Sequence, residues 1–255
     1  MEVYWLEQSE ADVPAGDDWL SASELTQLST FRFAKRRSDW QLGRWTAKSA
    51  LALYLNAPAD PRIFASLEIR PALSGAPTVF FQNRPAAAAI SLSHRAGIAA
   101  CAVTRSDGVL GCDLELIEPR SGAFLTDYFT TEEQSFVLRT CSGDRPRLLT
   151  LLWSAKESAL KALHAGLRLD TRTVTVGPFD ALRGEREDAK EREGTRTALV
   201  RSLDGHFGWS PLQVCSAEGQ VFNGWWQRSG DLIRTMVALP PPEPPIPFEK
   251  IACFN

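Results

Sequence analysis

Two segments of the 255-residue chain begin alike: WTAKSALALYL from Trp45 and WSAKESALKAL from Trp153. Both show the apolar spacing of a helix, and each is followed by stretches that read as strands. A repeat of this kind suits two α+β halves of roughly 110–130 residues each, a workable size for a small domain. The alternative is chance likeness between two Ala/Leu-rich helices. The second copy differs by a charge pair, Glu157 and Lys161, four residues apart and therefore neighbours on one helix face. Chemistry, on this reading, lies mainly in the second half.

The rest of the chain fits that frame. Strands are expected at 3–8, on both sides of a turn at His94–Gly97, at 109–117, and in HFGWSPLQVCSA, VFNGWWQR and RTMVAL. Helices are expected over SASELTQLSTF, with Ser21 or Ser23 at its start, and over RWTAKSALALYLN, closing at Asn56. Two more are expected over TTEEQSFVLRT and LLTLLWSAKESALKALHAG. Residues 183–196 read as an exposed, mobile charged loop, and PPPEPPIPFEK as a segment extended along the surface. The expected division is 1–108, 109–240 and a proline-rich tail, 241–255.

Composition excludes several classes. With 44% hydrophobic and 23% charged residues the chain is an ordinary globular protein, and a net charge of −3 argues against wholesale nucleic-acid binding. Five scattered cysteines without a CxxC pair, and only three histidines, argue against a zinc cluster. MEVYWLEQSEADVP lacks signal-peptide features, and no apolar run approaches membrane-spanning length. A cytoplasmic monomer is the expectation.

GCDLELIEPR places Asp113 and Glu115 two apart in a strand-like run, so both point the same way. One reading is a solvated sheet face with Cys112, Leu114 and Leu116 turned to the core. The other brings in Glu157, on a helix stripe near Ser154 and His164. Three carboxylates without His or Cys describe a Mg²⁺ or Mn²⁺ site, and Lys161 beside it would meet developing phosphate charge. Basic residues in FRFAKRRSDWQLGRW (Lys35, Arg36, Arg37 and Arg44) suit a terminal phosphate, or form a plain charged helix face. SLSH puts a hydroxyl and an imidazole at a strand end, a reasonable place for diphosphate contacts or for a structural histidine.

GCDLE followed by WSAKESALK resembles the paired signature of 4′-phosphopantetheinyl transferases, G-(I/V)-D-x-E and W-x-x-K-E-(S/A)-x-x-K. RFAKRR…GR and SLSH precede them in the order of the surfactin-synthetase-activating subtype, so the motifs run from about Phe31 to Leu167. The resemblance implies an α+β fold of two similar halves related by a pseudo-twofold axis. Each half would be a small sheet on a long helix, with the active site between them. It implies phosphopantetheine transfer from coenzyme A to a serine of an acyl, peptidyl or aryl carrier protein, with no nucleic-acid or membrane partner. Asp113, Glu115 and Glu157 match the ligands of Mg²⁺ (Mn²⁺ as the alternative), and Lys161 the lysine at the phosphate. Ser93 and His94 match contacts to the coenzyme's phosphates, and Arg36, Arg37 and Arg44 would hold its 3′-phosphate or adenine end. Glu133, or else Glu132, is the possible base for the attacking serine, a metal-ordered water being the other choice. Ala76 stands in Ser74-Gly75-Ala76-Pro77 where many members carry lysine, so either a neighbouring arginine, such as Arg70 or Arg84, supplies that charge or coenzyme A is held less tightly. A metal-dependent hydrolase of nucleoside diphosphate derivatives and a non-catalytic coenzyme-A- or carrier-binding protein are the alternatives.

Overall fold

Strand alternation and helix caps set the layers. In the computed structural model, which describes residues 1–177 and 208–249, β1 (Tyr4–Ser9) turns Leu6 toward a helix and Trp5 toward a second sheet. α1 (Ala22–Ser29) starts at Ser21, whose Oγ accepts from Glu24 N while the Glu24 carboxylate accepts from Ser21 N. α2 (Ala34–Tyr54) begins ten residues before the expected Arg44. Lys, Arg, Gln and Leu are good helix formers, and Gly43 in its middle faces open space, so it interrupts nothing. α3 (Pro61–Ser66) and the small antiparallel sheet of β2 (Leu67–Pro71), β3 (Pro77–Phe81) and β4 (Arg84–Pro85) follow, none of them anticipated.

β5 (Ala88–Arg95) and β6 (Ile98–Arg105) form the expected hairpin, turning at Ala96 and Gly97, both with positive φ. β7 (Val109–Leu116) leaves that sheet. After α4 (Gly122–Tyr128), α5 (Thr131–Arg139) and α6 (Arg145–Ala162) come β8 (Val174–Gly177), β9 (Ser210–Ser216), β10 (Val221–Ser229) and β11 (Leu232–Leu239). The second sheet runs β7-β11-β10-β9-β8, whereas the first runs β1-β6-β5 with one further short strand beside β1. β12 (Ile246–Pro247) pairs in parallel with β1, so the proline-rich tail is a strap joined to the first sheet. The charged stretch 183–196 lies outside the described residues.

The layers stack as helix, sheet, sheet, helix. α2 covers the first sheet over Leu6, Trp45, Leu51, Ile90 and Val103, and α6 covers the second over Leu152, Leu160, Ile233 and Val237. Small side chains between the sheets (Ala100, Ala102, Cys112) let them approach around Trp5, Leu114 and Met236. Glu7 of β1 pairs with Arg234 of β11 across this joint.

The two long helices are anchored in the same way. Lys48 of α2 lies 2.5 Å from Glu24 and donates to the carbonyls of Trp19 and Phe64 at 3.1 and 2.8 Å. Lys156 of α6 lies 2.8 Å from Glu133 and donates to the carbonyls of Thr171 and Val174. Glu133 also closes the capping box on Thr130, as Glu24 does on Ser21. The Lys of each repeated Trp-Thr/Ser-Ala-Lys is thus a buried anchor.

Candidate active site

β7 sends Gly111, Asp113 and Glu115 to the face that α6 covers, and Leu110, Cys112 and Leu114 into the joint between sheets. Gly111 is required there: a Cβ would stand 1.8 Å from the Ser158 carbonyl oxygen and 2.7 Å from Ala162 N. The close approach carries Lys161 Nζ to Asp113 Oδ1 at 2.8 Å and to the Cys112 carbonyl at 2.9 Å. Two turns back on α6, Trp153 Nε1 donates to Glu115 Oε1 at 3.0 Å. Glu157 lies between Trp153 and Lys161 on that stripe.

The first sheet reaches the same place through one face of β5. Ser91 Oγ accepts from Cys112 N at 2.9 Å, and Ser93 Oγ accepts from Leu114 N at 3.2 Å while donating to Asp113 Oδ1 at 2.8 Å. Arg95 lies 3.7 Å from Glu115 and 2.8 Å from Glu118. Arg120 adds a contact to Glu115 at 3.2 Å and covers the Phe124 ring.

These placements leave negative charge undercompensated. Asp113 is buried and its Oδ2 has no hydrogen-bond partner among the described residues. Glu157 has neither a hydrogen bond nor an ion pair among them; burial, with Asp113 and Glu115 nearby, pushes its carboxyl up to about 7 against the pull of Lys161. Glu115 is also raised, because burial and Asp113 outweigh Arg95, Arg120 and the Trp153 bond. Burial opposes the charge of Lys161, yet Asp113, Cys112 and Glu157 hold it above its ordinary value.

Among the described residues no three His, Cys, Asp or Glu side chains stand close enough together to enclose one metal ion. The donor set still fits a hard divalent cation: the oxygens are all carboxylate, one is buried without a hydrogen-bond partner among the described residues, and burial, with Asp113 and Glu115 nearby, raises the Glu157 carboxyl.

Other expected site residues go elsewhere. Glu133 is fully buried, accepting from Lys156 and from the backbone N–H groups of Thr130 and Val176, apart from the three carboxylates. His94, next to Ser93 on β5, points to the opposite face and is exposed. Ser154 bonds Thr235 Oγ1 in the core, and His164 lies beyond the end of α6 with φ 53°. Arg37 pairs with Asp17 at 3.3 Å, Arg44 with Glu24 at 3.4 Å, and Arg36 lies over the Phe31 ring; none meets the three carboxylates. Arg70 is taken up by Glu68, Asn83 and the Phe80 ring. At the Ala76 turn Arg168 donates to the Ser74 carbonyl instead. Arg95, Arg120 and Trp153 were not foreseen. The alternation Ser91, Ser93, Arg95 was the signal that could have found Arg95; Arg120, from the segment after β7, has none.

No helix among the described residues is long and apolar enough to cross a membrane. No curated protein matches the chain. Among solved structures, Helicobacter pylori holo-acyl-carrier-protein synthase in complex with coenzyme A aligns at 19% identity and a TM-score of 0.33, over 41% of this chain and 99% of that one. Residues 109–208, which include Asp113, Glu115, Glu157 and Lys161, match the family model of the 4′-phosphopantetheinyl transferase superfamily.

Proposed function

We propose that the protein transfers phosphopantetheine from coenzyme A to a serine hydroxyl of an acyl, peptidyl or aryl carrier protein. The observation that carries this is the juxtaposition, within the matched stretch, of Lys161 on Asp113 and of Glu157, without a hydrogen bond or ion pair among the described residues, on the same helix face. Asp113, Glu157 and Glu115 would hold Mg²⁺, or Mn²⁺ in its place, which would supply charge neutralisation for a diphosphate. Lys161, kept protonated by its neighbours, stabilises the departing 3′,5′-ADP. As the carrier oxygen bonds to the β-phosphorus, the diphosphate P–O bond breaks, 3′,5′-ADP departs and the hydroxyl proton passes to solvent water. Asp113 positions Lys161, and the arginines on Glu115 keep that carboxylate oriented. Arg36 and Arg37 lie on the half expected to take the 3′-phosphate end. The finer fold reading, two halves related by a pseudo-twofold axis, belongs to the same proposal and draws support from the paired Glu24–Lys48 and Glu133–Lys156 anchors.

Following coenzyme A consumption with and without an apo-carrier tests this against hydrolysis. Consumption that requires both the carrier and a divalent cation supports transfer. Consumption without a carrier contradicts it.

A further inference from the structure

Ser93 belongs to the first sheet, yet its hydroxyl donates to Asp113 Oδ1 at 2.8 Å on the second. The same oxygen accepts from Leu114 N at 3.2 Å, so its hydrogen is directed at the carboxylate and not left to rotate. Lys161 donates to that Oδ1 as well, at 2.8 Å. Two donors fix one oxygen of Asp113 and leave Oδ2 buried, without a hydrogen-bond partner among the described residues. Two residues earlier, Ser91 Oγ accepts from Cys112 N at 2.9 Å. β5 and β7 belong to different sheets, and these hydroxyls bond to the β7 N–H groups that face β5.

From this geometry we infer that Ser93 is a positioning residue: it acts through Asp113, aiming Oδ2 at the cation, and ties the metal site to the first sheet. The inference rests on the metal-dependent reading above and assigns Ser93 a role other than contact with the coenzyme's phosphates. Ser91 makes the same kind of backbone contact without touching a carboxylate, so it separates joining the sheets from aiming Asp113.

The test titrates Mn²⁺ into the whole protein without coenzyme A, reading free Mn²⁺ by electron paramagnetic resonance. Ser93→Ala should weaken Mn²⁺ binding by about tenfold, the lower end of losses from partners of metal ligands. Ser93→Thr should restore it, and Ser91→Ala should stay within about twofold of the unaltered protein. If Ser93→Ala does not fold, Ser93→Cys, a weaker donor of similar size, should show the same loss. Unchanged binding in the Ser93 variants, or an equal loss in Ser91→Ala, overturns the inference and leaves the metal reading standing. No Mn²⁺ binding by the unaltered protein sinks the metal reading itself, and this inference with it.

Discussion

The two oxygens of Asp113 have different surroundings: Oδ1 takes Lys161 and Ser93, and Oδ2 has no hydrogen-bond partner among the described residues. Burial, with Asp113 and Glu115 nearby, pushes the Glu157 carboxyl up to about 7. The sign follows from linkage. A carboxyl whose folded value is raised from 4.5 to about 7 binds more protons folded than unfolded, so stability falls as pH rises through that window. The full shift corresponds to at most about 3 kcal/mol, and partial exposure reduces it to about 1–2 kcal/mol. Without metal, Glu157→Gln should therefore be the more stable protein at pH 8 and no more stable at pH 4, as urea denaturation would read. A pH-independent difference would remove the carboxylate repulsion from the account. Glu133 is instead paired with Lys156 in the core. Lys156→Met strands that charge and should cost about 3–5 kcal/mol, with part recovered in the Lys156→Met/Glu133→Gln double variant. No recovery would mean that lost packing, not the stranded charge, dominates.

Between elements, what matters is how closely α6 lies on β7. Gly111→Ala forces a methyl against the Ser158 carbonyl and should cost about 3 kcal/mol. Gly43→Ala on α2, where nothing lies within 4 Å, should stabilise by up to about 1 kcal/mol. Equal effects from the two in thermal melts would contradict the close packing. At this scale much was legible in the sequence. Strand alternation placed Asp113 and Glu115 together, and four-residue spacing placed Glu157 with Lys161. The partners of Glu115 were less so, because Arg95 and Arg120 arrive from a different sheet and a loop, where local pattern says nothing about distance. The contacts of Glu133 had a signal of their own: Thr130-x-x-Glu133 is the spacing of a capping box, which ties the carboxylate to the helix start. The β2–β4 sheet escaped notice because its runs are short and broken by Pro71, Pro77 and Pro85.

For the molecule as a whole, the site depends on how two sheets are held against each other. Glu7–Arg234, the Ser91 and Ser93 hydroxyls and the C-terminal strap span the joint. In the strap, the N–H groups of Glu243, Ile246 and Phe248 donate to the carbonyls of Met1, Val3 and Trp5, Phe248 stacks on Tyr4 at 4.9 Å, and the Pro242 carbonyl accepts from Trp225 Nε1. Ending the chain at Pro240 should lower the melting temperature by several degrees, at ~2–4 °C per kcal/mol for a chain of this size; an unchanged melt would show that the strap does not hold the sheets. The most direct test of the central claim is the intact mass of an apo-carrier after incubation with this protein, coenzyme A and Mg²⁺. The account predicts that the carrier gains one phosphopantetheine, and that Glu157→Gln, still folded, abolishes the gain. No gain across several unrelated carriers, or full activity in Glu157→Gln, would contradict it.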